Sequence, residues 1–156
     1  MQTTLLHGGH LITDPAALTD DGVITDGGVL VVGEQIEAVG PFDALHKAHP
    51  EATVLGSAHH LVMPGLINVH SHPTNQALYK GVREELGNPH LYGTGLYDFV
   101  TLFVPDPAAK LAAAEYTYAE MLTSGITTFA DLSIPFEGWL ELLGRSGLRA
   151  CAAPMF

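Results

Sequence analysis

From Gly65 onward the chain alternates strand and helix, and this alternation is what most limits the folds open to it. "LINVHSH" reads as a strand. "DPAAKLAAAEYTYAEMLTSG" reads as a helix, with Asp106 as its cap, Pro107 in its first turn and Gly125 as its stop. "ITTFAD" is a second strand, "PFEGWLELLGRSG" a second helix ended by glycine, and "LRACAAPMF" a third strand. Strand, helix, strand, helix, strand predicts right-handed βαβ units around parallel strands. Parallel strands are buried on both faces, and three strands with two helices cannot cover themselves. The sheet is therefore expected to continue in residues outside this chain.

The first sixty residues follow a different grammar. "TLLHGGHLIT" and "GGVLVV" carry β-formers bounded by Gly and Asp, and "VLVVGEQIEAVG" predicts a hairpin turning at Gly33-Glu34-Gln35. His7 and His10 are expected to flank a Gly-Gly turn. "FDALHKAHP" predicts a short helical connector stopped by Pro50, with His46 and His49 exposed. "ATVLGSAHHLVMPG" returns to strand, with His59-His60 at its entry and a break at Pro64-Gly65. These strands are expected to pair antiparallel and to lie beside the parallel sheet. The reading therefore has two domains, 1–61 and 62–156. Residues 73–105 form a long irregular stretch, with a helical turn expected around Ala77–Val82.

Composition narrows the class of partner. Seventeen acidic residues against six basic ones give a formal net charge of −11, the wrong sign for a nucleic-acid surface or an anionic membrane. No apolar run approaches the roughly 20 residues that span a bilayer, and "MQTTLLHGGH" lacks the basic start and apolar stretch of a secretion signal. The single cysteine, Cys151, allows no internal disulfide and fits a cytoplasmic location. In an apolar strand without basic neighbours, it is expected to be an inert buried thiol.

The strand "LINVHSH" ends in two histidines, one residue apart. Side chains alternate along a strand, so Leu66, Asn68, His70 and His72 share one face, with the histidine Cα atoms roughly 7 Å apart. Both rings can then reach a single ion at Zn–N distances of about 2.0–2.1 Å. The carboxyl ends of parallel strands are where α/β folds place their sites. Nine histidines in 156 residues produce roughly half an H-x-H pair by chance. The weight therefore rests on context: a Pro-Gly break, an apolar strand, a terminal pair on one face and a long loop after it.

"VMPGLINVHSH" closely resembles the signature with which the amidohydrolase superfamily enters its (β/α)8 barrel. "GITTFAD" resembles that family's second barrel strand, and residues 1–61 the amino-terminal part of its β-sandwich. The resemblance covers essentially the whole chain. It implies an α/β fold: the first three strands of a TIM-type barrel preceded by part of a small β-sandwich. Within the superfamily the chain is most similar to the aminohydrolases of adenosine derivatives, guanine, cytosine and s-triazines. Asn68, where the hydantoinase and dihydroorotase branch has Asp, favours the mononuclear deaminase branch. The resemblance makes His70 and His72 the first two ligands of one divalent ion, Zn²⁺ or Fe²⁺. It puts the other ligands and the catalytic groups on later strands, and Asp131 is not a match for the late metal-binding Asp.

Further candidates come from position. Asp131, at the end of the second strand, would face the barrel mouth, help position the first strand's ligands as an acceptor behind them, or be a strand-end or helix-capping residue. Glu84 and Glu85, beside Arg83, lie in the loop where related deaminases use a carboxylate to hold substrate. The resemblance implies that one of them contacts a hydroxyl or ring nitrogen, and the alternative is a solvated charge cluster. Gln76 and Asn75 would offer an amide to a heterocycle edge. Tyr92, Tyr97, Phe99 and Phe103 would line an apolar pocket or simply pack as core.

Three functions compete. In the first, the chain is the amino-terminal portion of a metal-dependent aminohydrolase acting on a small N-heterocycle. The ion would lower the pKa of water to about 7 so that hydroxide attacks an electron-poor ring carbon, releasing ammonia, an amine or chloride. Amide hydrolysis by the same chemistry is the alternative within the enzyme class. In the second, His90 completes a three-histidine zinc site within this chain. In the third, the chain is a non-catalytic fragment or subunit. Two histidines fall one ligand short of a usual catalytic zinc site and two short of a structural one. The chain alone is thus expected to be inactive, with a companion polypeptide or other copies, in an oligomer, completing the barrel.

Overall fold

β-forming residues bounded by Gly and Asp set extended structure at the amino terminus, where a cross-strand leucine pair seeds the first core. The computed structural model describes residues 2–14, 22–80 and 104–155. The chain divides into two compact units, Met1–Pro64 and Gly65–Phe156, and their strands form separate sheets.

In the first unit, β1 (Thr3–Ile12), β2 (Val23–Val32), β3 (Gln35–Pro41) and β4 (Thr53–Val62) lie in the order β3-β2-β1-β4. Leu5 and Leu30 are opposite one another in the β1–β2 register, and both are fully buried. Phe42 and Leu45 of α1 (Phe42–Ala48) and Ala52 pack on this pair. Each leucine so buried is worth about 1.5–3 kcal/mol. The α1 helix carries Asp43 in its first turn and His46 and Lys47 in its last, charges that suit the helix dipole.

Three expectations need correcting in this unit. The sheet is not wholly antiparallel, because β1 and β4 pair parallel. The connection from β3 through α1 carries the chain from one edge to the other, so β4 arrives in the direction of β1. Gly8-Gly9 is not a turn either. The strand runs straight through it, with the register jumping from Gly8↔Ser57 to His10↔Leu61. At this bulge Gly9 lies so close to β4 that a Cβ there would sit 2.0 Å from the Ala58 carbonyl oxygen, which requires glycine. Ala58, His59 and His60 stand opposite the single residue Gly9 in this bulge, so both histidines lie well inside β4 rather than at its entry.

The second unit contains β5 (Leu66–Ser71), α2 (Pro73–Tyr79), α3 (Pro107–Thr123), β6 (Ile126–Asp131), α4 (Trp139–Arg145) and β7 (Arg149–Ala152). The strands are parallel in the order β5-β6-β7. Asp106 Oδ1 accepts the Ala109 N–H at 2.8 Å and so caps α3. Gly125, at φ +78°, ends the same helix in the left-handed region that glycine adopts without strain. Ala114, Tyr118 and Met121 of α3, Phe129 of β6, and Leu142 and Leu143 of α4 form the core. The second helix is shorter than expected and begins at Trp139. The helical turn expected around Ala77–Val82 overlaps α2, which begins at Pro73 in a first turn that needs no N–H; residues 81–82 lie outside the described residues.

Among the described residues the parallel sheet is covered on its α3/α4 side and open elsewhere. Ile67 is 67% and Val69 78% exposed, and all of β7 is exposed. Cys151, on that strand, is therefore exposed and not buried. No helix among the described residues is long and apolar enough to cross a membrane.

Candidate metal centre

A break in the β5 ladder sets the site. β5 and β6 are in register at Asn68↔Phe129 and again at Ser71↔Asp131, which leaves one extra residue on β5 between them. Such a bulge re-aims side chains at a strand end. Asn68 supports it by accepting the His70 backbone N–H at 3.1 Å through its side-chain oxygen. Ser71 turns inward and donates to the Ala130 carbonyl at 2.8 Å. The next residue, His72, lies between the end of β5 and the start of α2. The amino end of α2 is pinned by Thr117 of α3, whose hydroxyl lies 3.1 Å from the Pro73 carbonyl and 2.8 Å from that of Ala113.

The two rings converge. His70 Nε2 lies 3.0 Å from His72 Nε2, with the rings inclined at 69°. His72 Nδ1 lies 2.9 Å from the Leu132 carbonyl oxygen. A carbonyl only accepts, so His72 carries its proton on Nδ1 and turns the lone pair of Nε2 toward His70. A protein carbonyl behind an imidazole is a usual way of fixing a metal-binding tautomer. Two nitrogens about 2.0–2.1 Å from a tetrahedral zinc lie roughly 3.3 Å apart, so these rings need open by only a few tenths of an ångström. The pair fits as two ligands of one divalent ion. Among the described residues no group of three or more His, Cys, Asp or Glu side chains could hold a metal ion.

Asp131 ends β6, as one expectation had it, and its carboxylate does not touch the histidines directly. It is fully buried, and its carboxylate accepts the Tyr118 hydroxyl (2.5 Å), the Ser133 hydroxyl (2.5 Å) and the Trp139 indole N–H (3.0 Å). None of these partners is a histidine. The group directly behind His72 is the carbonyl of the neighbouring residue, Leu132. Burial pushes the Tyr118 phenol well above its ordinary range, and its hydrogen bond to Asp131 and the charge there add to the shift.

Sequence reasoning missed Leu132, Tyr118, Ser133 and Trp139. A backbone carbonyl leaves no mark in a sequence. The only available signal was an aspartate ending an apolar strand, with aromatic polar groups on both flanking helices. Gln76 lines a cavity of about 170 Å³ with Asn68, Lys80, Glu120, Ser124 and Ile126. Ser124 and Ile126 lie at the amino end of β6, the opposite end from the histidines. Lys80 is paired with Glu120 there and also sits 5.5 Å above the Tyr116 ring. Asn75 uses its backbone N–H on the His72 carbonyl at 3.0 Å, and its side-chain oxygen lies 3.3 Å from the Thr74 hydroxyl. Arg83, Glu84, Glu85, His90, Tyr92, Tyr97, Phe99 and Phe103 lie outside the described residues.

Residues 61–156 match the model of the amidohydrolase family. The chain belongs to the amidohydrolase family. Residues 27–52 match a second model, the bacterial imidazolonepropionase-like composite domain. A protein of Nitratidesulfovibrio vulgaris named 5-methylthioadenosine/S-adenosylhomocysteine deaminase is 33% identical over 112 residues, covering 72% of this chain and 25% of that protein. The aminofutalosine deaminase of Helicobacter pylori superposes with a TM-score of 0.66 at 18% identity, over 99% of this chain and 34% of its own. An adenosine deaminase of Xanthomonas campestris, solved with bound zinc, gives 0.64 at 21% identity, over 94% and 32%. These likenesses establish the fold: part of a small β-sandwich followed by the first three strands of a (β/α)8 barrel. The chain spans about a quarter of the length of the curated relatives it matches.

Proposed function

We propose that this amidohydrolase chain supplies the first two metal ligands, His70 and His72, of a hydrolytic deaminase acting on an N-heterocycle, with an adenosine derivative as the favoured substrate class. The observation that carries the reading is the convergence of two Nε2 atoms to 3.0 Å at the carboxyl end of β5, with the His72 tautomer set by the Leu132 carbonyl. The name of the N. vulgaris relative supports the substrate class. The bound zinc of the X. campestris structure supports a divalent ion, with zinc first and ferrous iron second.

The geometry supports a role for each of these residues. His72 holds its proton at Nδ1 against Leu132 and keeps Nε2 free to ligate. Asn68 braces the bulge that turns His70 toward the same point. A divalent ion held there would supply Lewis acidity and an activated water for attack on an electron-poor ring carbon. The remaining ligands and proton-transfer groups are assigned to later barrel strands, on a continuation of the polypeptide, a companion chain or further copies in an oligomer. A lone cysteine and an acidic surface support a cytoplasmic setting.

The test uses the intact protein. Metal content is measured alongside turnover of 5′-methylthioadenosine, S-adenosylhomocysteine, guanine and an aminated s-triazine. About one equivalent of zinc or iron and ammonia release from an adenosine derivative are expected. A metal-loaded, active His70→Ala variant would overturn the assignment.

A further inference from the structure

We infer that Asp131 is a positioning residue for the metal centre, acting on His72 through the Leu132 peptide. This inference rests on the reading of His70 and His72 as ligands. The orientation of the His72 ring depends on where the Leu132 carbonyl oxygen points, and Leu132 lies just past the end of β6, where a chain is ordinarily free to move. Here it is held on both sides.

Asp131 and Ser133 bracket Leu132, joined to each other from carboxylate to hydroxyl at 2.5 Å. The backbone on either side is laddered, with Asp131 O accepting from Ala153 N at 2.8 Å and Ser133 O from Met155 N at 3.1 Å. Leu132 N donates to Ser71 O at 3.0 Å, one residue before His72. The carboxylate is fixed in turn by Tyr118 on α3 and Trp139 on α4. One buried anion thus ties both helices and the turn after β6 to the peptide that sets the tautomer of His72. Three donors on one carboxyl suit an acceptor-only group, and a fully buried carboxylate in a cytosolic-type core is retained only with such partners. An apolar residue at this point would leave the buried Tyr118, Ser133 and Trp139 donors without their acceptor. Nor could it hold the Ser133 hydroxyl, and through it the Leu132 carbonyl.

The experiment compares Asp131→Asn, Ser133→Ala and Tyr118→Phe with Leu142→Ala, all in the intact protein. Leu142 is an apolar side chain buried in the same core. Two readouts are taken on folded protein: zinc affinity by chelator competition, and exchange of the His72 Nδ1–H by NMR in zinc-free samples. Asp131→Asn is expected to weaken zinc binding by about tenfold or more, the usual size for groups behind a ligand. Ser133→Ala should weaken it severalfold, and both should speed exchange of the imidazole proton. Leu142→Ala should lower the melting temperature and leave both readouts unchanged. Wild-type zinc affinity and exchange in Asp131→Asn and Ser133→Ala, with stability alone reduced, would overturn the inference. Should Asp131→Asn fail to fold, Ser133→Ala and Tyr118→Phe decide on the same readouts. A His70→Ala variant that keeps its zinc would remove the ligand reading itself. Loss of zinc there, with unchanged affinity in the Asp131 and Ser133 variants, would remove only the positioning role.

Discussion

His7 and His72 each bring a ring nitrogen within hydrogen-bond distance of an oxygen acceptor, and the two regions use that bond for different ends. In the first sheet, His7 Nε2 faces Asp26 Oδ1 at 2.7 Å while its ring stacks on Phe42 at 3.7 Å. That nitrogen is therefore occupied by a carboxylate. In the second sheet it is Nδ1 of His72 that is occupied, by a carbonyl, and Nε2 is left aimed at a second imidazole. The difference is not histidine content, since four of the nine histidines (His7, His10, His59 and His60) lie on β1 and β4. It is which nitrogen the fold occupies.

The sharpest way to break this contrast is to exchange the losses. His72→Ala in the intact protein should remove bound zinc and lower deamination by more than about 100-fold, beyond the range seen for groups behind a ligand. His7→Ala should change neither. Zinc lost equally from both variants, measured by elemental analysis, would show that the contrast is false.

A second contrast concerns polar groups: the Asp131 cluster is buried, whereas the His7–Asp26 pair is partly exposed. Tyr118→Phe removes a hydrogen bond to a buried carboxylate and should cost about 1.5–3 kcal/mol in denaturant unfolding. His7→Ala breaks a pair whose carboxylate is about half exposed and should cost no more than about 1 kcal/mol.

The Tyr118 phenol also predicts a pH dependence. Its folded pKa is raised above the unfolded value near 10.0, so above that pH the unfolded chain gives up a proton that the folded chain keeps. The associated stability is fully present below pH 10 and declines as pH rises, by up to about 1.4 kcal/mol per unit. Chemical unfolding between pH 9 and 11 should show this slope, and Tyr118→Phe should flatten it.

The smallest effect is expected at Asp26, which has φ +51°. Asp26→Gly loses the exposed pair but relieves a left-handed conformation that costs a residue with a Cβ about 1–2 kcal/mol. A net change within about 1 kcal/mol of zero, by thermal unfolding, is expected.

Much of this was legible in the sequence because it depended on local chemistry. The apolar strand runs, the Asp106 cap, Pro107 and the Gly125 stop marked α3 and its flanking strands, since each acts within one or two turns of itself. The H-x-H at the end of an apolar strand and the Pro64-Gly65 break marked where the grammar changed. Tertiary structure decided the rest, for reasons no local pattern carries. The parallel β1–β4 pairing depends on where a crossover lands, and the reading of Gly8-Gly9 as a bulge depends on Ala58, about fifty residues away. The exposure of Cys151 depends on what covers β7. The His72 tautomer depends on a carbonyl sixty residues later, and every residue except proline presents the same carbonyl and N–H. The sequence by itself named the two imidazoles. Only the folded chain determined which nitrogen of His72 faces His70, because that orientation is set by a backbone group held in place by Asp131, Ser133, Tyr118 and Trp139.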